Sequence, residues 1–179
     1  MAKYRRRRRF YRSKGRWSSN IQEIPTTTVT SSGIGANAYT QVLAYNPQQT
    51  NTTTSQIYTV KNTEVTFSMD FDSTLNDGAN IEDITVFVMY VPQGMAVTPQ
   101  YPNQHPEYIL AYRFLGSPQS DIPTSQAQPA KVKTRLARRL QTGDYLLLMI
   151  KYNDTRANTS GVVPRFDVHG LARWWTKAN

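Results

Sequence analysis

The sequence contains no cysteine among its 179 residues. This excludes a disulfide framework, a thiolate zinc site and a cysteine nucleophile. There are only two histidines, His105 and His169, and neither stands in a metal-ligand spacing such as HExxH. No apolar run approaches the roughly 20 residues that a transmembrane helix requires. Gly33-Ile34-Gly35 lacks the further glycine and the strand–helix context of a phosphate-binding loop. We therefore expect no metal, no cofactor and no catalysed reaction.

Outside residues 3–16 the numbers of cations and acids are equal, so the rest of the chain has no net charge. The chain has 21 Lys/Arg and 12 Asp/Glu, which give a formal net charge of +9. Nine cations and no acid lie within residues 3–16, so the other twelve cations are balanced by the twelve acids. Consecutive arginines repel one another and have no apolar surface to bury. This pattern predicts a disordered arm over residues 1–17 and one folded domain over residues 18–179.

The composition of the arm predicts nucleic-acid binding. Arginine contacts phosphate through two parallel hydrogen bonds and stays charged at any working pH. Aromatic residues at positions 4, 10, 11 and 17 are interleaved with the cations, and rings of this kind stack on unpaired bases. The same run is typical of a nuclear localisation signal, which we expect as an overlapping role. The candidate binding residues of the arm are Lys3, Arg5, Arg6, Arg7, Arg8, Arg9, Arg12, Lys14, Arg16 and Trp17.

Two further groups of cations are candidates for the same surface. Arg165 and Arg173 share one face of the last predicted strand with Trp175 and His169, and we include both arginines in the candidate site. The second group is Lys131, Lys133, Arg135, Arg138 and Arg139. Either group extends the nucleic-acid surface or pairs with acids across a subunit interface, and the sequence leaves both alternatives open.

The body is predicted to be all β. Residues 57–71 and 108–114 alternate apolar and polar side chains with a period of two, which indicates half-buried strands. Residues 84–91 and 145–152 are apolar on both faces, so we expect central strands that are covered on both sides. In the last strand, from Val162 onwards, Phe166, Val168 and Trp174 are expected to share one face.

The remaining strands are less strongly patterned. Residues 26–30 are expected to form a short edge strand, and residues 39–45 the first strand of the body proper. Residues 131–140 begin as a strand and either stay extended or turn helical from Arg135. A tight turn is expected at 141–144, and long loops are expected at 46–55, 92–106 and 117–129. Seven or eight strands joined by Pro/Gly-rich loops favour an antiparallel sandwich or barrel.

The chain resembles the coat proteins of circular, Rep-encoding single-stranded DNA viruses, the circoviruses and their relatives. The resemblance rests on the opening MAKYRRRRRFYRSKGRW, on TRLARRLQTGDYLLLMIKY and on the closing FDVHGLARWWTKAN. It implies an eight-stranded viral jelly roll, with two antiparallel four-stranded sheets packed face to face, as also in satellite-virus-like shells. It further implies a T=1 icosahedral shell of sixty copies, with the arms inside on circular viral DNA.

The resemblance also implies that the protein enters the nucleus through host import factors. It places the protein in the virion and, during assembly, in the host nucleus. It further implies a cell-surface attachment factor, which the sequence does not identify.

Three other interpretations stay open. One is the same shell around RNA, since phosphate contacts carry little base information. Another is a non-viral basic nucleic-acid-binding β-sandwich protein. The last is a β-sandwich hydrolase that uses Asp70, Asp72 and His169.

Overall fold

Antiparallel strands form nearly all of the regular structure. The computed structural model describes residues 16–46, 57–71, 80–117, 128–156 and 163–178. The strands within these ranges are β1 (Ser18–Thr30), β2 (Gly35–Tyr45), β3 (Tyr58–Phe71), β4 (Ile81–Val91), β5 (Ile109–Gly116), β6 (Gln128–Lys133), β7 (Arg138–Leu140), β8 (Tyr145–Asp154) and β9 (Arg165–Ala178). Between β4 and β5 lie a one-turn helix α1 (Tyr101–Gln104) and a 3-10 helix (Pro106–Tyr108).

The strands form two sheets with the connectivity of a jelly roll. Sheet A has the order β1-β9-β3-β6, and sheet B has the order β2-β8-β4-β5. Strand β7 also pairs with β3. Because β9 occupies the other side of β3, β6 and β7 together fill one position in sheet A. The described residues therefore occupy eight strand positions in two antiparallel sheets, which confirms the expected eight-stranded jelly roll.

The core lies between the two sheets and follows from the two-residue alternation of each strand. Val65, Phe67 and Met69 of β3 face the same interior as Phe166 and Val168 of β9, and all five are at most 2% exposed. Sheet B contributes the even-numbered residues of β4 and β8, namely Ile84, Val86, Val88, Leu146, Leu148 and Ile150. The expectation that Phe166, Val168 and Trp174 share one face of β9 is confirmed, and this face is buried, with Trp174 at 8% exposed.

Sheet B is also covered on its outer face. Phe87 and Met89 of β4 and Met149 of β8 point away from the interior and form a second apolar cluster. The cluster is closed by the segment between β4 and β5, whose Tyr101 is 1% exposed. This confirms that β4 and β8 are central strands covered on both faces. It also shows that the predicted loop 92–106 contains helix α1 and packs on the sheet.

The alternative of a helix from Arg135 is wrong. Strand β6 ends at Lys133, residues 134–137 have no regular structure, and β7 begins at Arg138. The backbone N–H of Thr134 donates to the carbonyl of Thr63 at 2.8 Å, and the Thr134 hydroxyl accepts from the N–H of Leu136 at 3.1 Å. These bonds break the strand without starting a helix, because pairing with β3 outweighs local helix propensity.

The first strand is longer than predicted. The expected edge strand at 26–30 is the second half of β1, which begins at Ser18, and the segment predicted as the first strand is β2. Pro25 sits where the register of β1 on β9 shifts, between Ile24 and Thr27. A proline is tolerated at such a bulge of an edge strand because no ladder hydrogen bond is required there.

Two smaller predictions concern the turn at 141–144 and the loop at 117–129. The tight turn at 141–144 is confirmed, since the N–H of Asp144 donates to the carbonyl of Gln141 at 3.0 Å and Gly143 has a φ of +87°. The predicted loop 117–129 is wrong at its end, because Gln128 and Pro129 belong to β6. Residues 118–127 and 47–55 lie outside the described ranges.

Gly170 allows β9 to approach β3 closely. It lies opposite Phe67 in the register, and a Cβ atom at Gly170 would lie 2.7 Å from the Cα of Phe67. We expect Gly170→Ala to lower the free energy of unfolding by about 1–3 kcal/mol, the usual range for overpacking. Denaturant titration of the purified protein measures this. Gly33→Ala is the matched control, because nothing lies within 4 Å of its Cβ position, and its stability should change by less than about 0.5 kcal/mol.

Candidate nucleic-acid interface

The point at which the arm joins the body lies on the outer face of sheet A. Of the candidate arm residues, only Arg16 and Trp17 fall within the described residues, and Lys3, Arg5–Arg9, Arg12 and Lys14 lie outside them. Arg16 is exposed and Trp17 is partly buried. The indole of Trp17 lies under the Nζ atom of Lys61, which is 3.9 Å from the ring centroid. Since β9 lies between β1 and β3, this contact spans the end of β9.

The same face carries a second pairing of a cation with a tryptophan. Trp175 of β9 lies opposite Lys61 of β3 in the register. The guanidinium carbon of Arg173 is 5.9 Å from the centroid of the Trp175 ring. Lys177, two residues further along β9, lies on the same face. One basic and aromatic surface is therefore formed by Trp17, Lys61, Arg173, Trp175 and Lys177, and we call it the arm-root patch.

Two acids adjoin the arm-root patch, Glu23 on β1 and Glu64 on β3, and Glu64 is engaged elsewhere. Glu64 lies opposite Arg173 in the register. Its carboxylate contacts Lys131 at 2.8 Å and Lys133 at 3.6 Å, on the far side of β3. The hydrogen bond from Lys131 is the main cause that lowers the pKa of the Glu64 carboxyl. Glu64 thus neutralises part of the lysine pair and leaves the arm-root patch positive.

Arg165 does not belong to this patch, although it shares a strand face with Arg173 as predicted. The two residues are eight positions apart on β9, which is about 26 Å at ~3.3 Å per residue. Arg165 lies at the opposite end of the sheet, beside a depression of about 250 Å³ that Asp70 and Asp167 also line. These two acids face each other across β3 and β9. The surroundings of Arg165 are therefore acidic, and they favour an ion-pairing role over phosphate binding.

The five cations of the second basic cluster, which are Lys131, Lys133, Arg135, Arg138 and Arg139, differ in their contacts. Lys131 and Lys133 pair with Glu64. Arg138 donates to the carbonyl of Glu107 at 2.8 Å, and its guanidinium carbon lies 5.9 Å from the centroid of the Tyr90 ring. Arg135 and Arg139 are exposed. Three of the five cations are thus engaged in contacts with other groups of the same chain.

One element of the hydrolase alternative is present. The Nδ1 atom of His169 lies 3.4 Å from a carboxylate oxygen of Asp70 on sheet A, where His169 is exposed and Asp70 is partly buried. Ser68 lies opposite His169 in the register, and its hydroxyl has no hydrogen-bond partner. Asp72 lies outside the described residues. The contact between Asp70 and His169 can orient the imidazole, but no hydrogen bond connects it to the Ser68 hydroxyl.

Sequence reasoning missed Lys61 and Lys177. Both lie on the polar face that the two-residue alternation assigns to their strands, and that pattern was the available signal. Their importance depends on the pairing of β3 with β9, which places Lys61 opposite Trp175 although they are more than 100 positions apart in the sequence. A single strand pattern carries no information on such a partner.

The fold of the described residues defines a class of protein, the all-β jelly roll. Within the described ranges, none of the helices is long and apolar enough to cross a membrane. The same ranges contain no group of three or more histidine, aspartate or glutamate side chains placed to hold a metal ion. No protein-family model matches the chain, and no curated protein matches it.

Proposed function

We propose that the protein is the subunit of a small icosahedral virus capsid. Its jelly-roll body self-assembles into a sixty-copy shell, and its arm packages single-stranded DNA. The surplus charge of +9 per copy is neutralised by the enclosed phosphates, while the neutral body packs against copies of itself without long-range repulsion. The arm also directs the subunit to the host nucleus, where the virion is assembled. This function requires no catalysed reaction.

The position of the arm root is the observation that carries the proposal. Trp17 lies on the outer face of sheet A, where its indole contacts Lys61 and shares the face with Arg173 and Lys177. The root of the arm, at Trp17, and these cations of the body therefore share one face of the sandwich. In a closed shell with that face inward, every arm and every arm-root patch would meet the same enclosed polyanion.

Exposed aromatic side chains on sheet B support self-association. Tyr112 and Phe114 of β5 are 68% and 60% exposed. Strand β5 is at the edge of sheet B, where backbone groups are available to another chain. Large apolar side chains at an exposed edge are typical of an interaction surface. A neighbouring copy that covers this edge would remove both from water.

Electron microscopy of the purified protein tests the proposal most directly. We expect uniform closed shells that contain nuclease-resistant nucleic acid, and sequencing of the extracted nucleic acid is expected to give circular single-stranded DNA. Recovery of RNA would show that the shell packages RNA instead of DNA, and the capsid function would still hold. A monomer that forms no particle at low or high salt, with or without added nucleic acid, would contradict the capsid function and favour a basic binding protein.

The hydrolase alternative has a separate test. The contact between His169 and Asp70 is the observation in its favour. A hydrolytic activity that is lost when Asp70, Asp72 and His169 are replaced by alanine would support it. We expect shell formation and nucleic-acid content to be unaffected by these replacements.

A further inference from the structure

We propose that the two tryptophan–cation pairs of the arm-root patch form a stacking platform for unpaired bases, so that the body itself selects single-stranded over double-stranded nucleic acid. This inference rests on the proposed function, because it assumes that sheet A faces the packaged polymer. It places on the folded body the base stacking that the sequence predicts for the aromatic residues of the arm at positions 4, 10 and 11. Arginine contacts to phosphate hold either kind of strand and carry no information on the bases.

The register brings the two pairs next to each other. Ser19, Trp175 and Lys61 lie in one row across β1, β9 and β3. Neighbouring strands are about 4.8 Å apart, so Lys61 stands beside the Trp175 ring while its Nζ atom caps the Trp17 ring at 3.9 Å. Two indoles and their cations therefore occupy adjacent positions on one open sheet face.

The burial of the tryptophans distinguishes this arrangement from core packing. Trp174 points into the interior and is 8% exposed, whereas Trp175 and Trp17 lie on the outer face and are only partly buried. Tryptophan on a solvated sheet face leaves apolar ring surface in water. Ile21 and Leu171 on the same face are 65% and 48% exposed, so the surface around the rings is open to a ligand.

Stacking chemistry gives the preference for single strands. Unpaired bases present their flat faces to aromatic rings, and each such stack contributes about 1–3 kcal/mol. In a duplex these faces are covered by neighbouring base pairs, and only base edges and phosphates are accessible. Lys61, Arg173 and Lys177 hold the phosphates of either polymer. The indoles therefore discriminate between the polymers, and the cations do not.

Binding of two matched oligonucleotides to the full-length chain tests this inference. The probes are an oligothymidylate and a hairpin duplex with the same number of phosphates, at a salt concentration that weakens the contacts of the arm. We expect Trp175→Ala to raise the Kd for the oligothymidylate about tenfold, which corresponds to about 1.4 kcal/mol. The Kd for the hairpin should change by less than twofold, and Trp175→Phe should restore most of the lost affinity.

Lys177→Ala is the matched control on the same strand face. It removes a charge but no ring, so we expect it to weaken both probes equally and to reduce the salt slope by about one. An unchanged thermal midpoint of each variant shows that the fold is kept. Trp17→Ala should repeat the effect of Trp175→Ala on the single strand.

The results that overturn the inference differ from those that overturn the capsid function. If Trp175→Ala weakens both probes equally, or neither, the platform does not stack bases, although the arm still packages nucleic acid. If Trp175→Ala prevents self-association and leaves both affinities unchanged, the patch is a contact between copies. If the unmodified chain binds neither probe, the inference and the nucleic-acid function fail together.

Discussion

Deletion of residues 2–15 is expected to abolish nucleic-acid retention while the body stays folded. The deletion removes eight of the nine surplus cations and keeps Arg16 and Trp17, which contact or adjoin the body. Each phosphate contact to a single strand contributes about 0.7 to the slope of log affinity against log salt. We therefore expect the slope to become shallower by about 5 to 6. The measurement is the ratio of nucleic acid to protein in purified particles, together with binding over a salt series.

A full-length variant distinguishes the effect of the arm's charge on nucleic-acid retention from the effect of its length. Replacing the same eight cations by serine keeps the number of residues, and we expect the same loss of nucleic acid. The thermal midpoint of the nucleic-acid-free subunit should be unchanged in both variants, since the deleted stretch has no apolar pattern to bury. Particles that still retain nucleic acid without these cations would contradict the assignment of the arm as the packaging element.

Phe166→Ala is expected to cost about 3–5 kcal/mol of unfolding free energy, the usual range for removing a buried aromatic side chain. Phe166 is 2% exposed. Its ring centroid lies 5.4 Å from that of Phe71 and 5.1 Å from that of Tyr152, so it joins β9 to β3 and to β8 of the facing sheet. Urea unfolding of the dissociated subunit measures the loss. Trp174→Ala, at the other end of β9, should fall in the same range.

Leu171→Ala provides the control on the same strand. Leu171 is 48% exposed on the outer face, so we expect its removal to change stability by less than about 1 kcal/mol. A cost for Phe166→Ala as small as that for Leu171→Ala would show that the two sheets do not pack as described. A comparable large cost for both would show that the outer face of sheet A is buried in the isolated subunit.

The prediction of fold class succeeded where the hydrophobic pattern was strong. Strands β3, β4, β8 and β9 were placed within a few residues, and the residues that share the interior face of β9 were grouped correctly. The failures lie where the pattern is weak. Strand β1 has a polar outer face and a bulge at Pro25, so only its second half was predicted. The break between β6 and β7 depends on hydrogen bonds that Thr134 makes with Thr63 and Leu136.

The candidate site was predicted in part. The sequence singled out Trp17, Arg173 and Trp175, and the structure brings these three residues onto one face with Lys61 and Lys177. It also named Arg165, which the structure places about 26 Å from Arg173, beside two acids. A shared strand face is visible in a sequence, but position along the face and the acids opposite it are not.

Two properties of this protein were determined by the sequence alone. The surplus charge is confined to residues 3–16, and this follows from the sequence alone because formal charge is counted residue by residue. The body is all β, because the period of two is local. Only the tertiary structure decided that Lys61 stands opposite Trp175, and that Glu64 turns to Lys131 instead of Arg173. These relations depend on which strands pair and in which register, and pairing is settled by contacts between residues far apart in the chain.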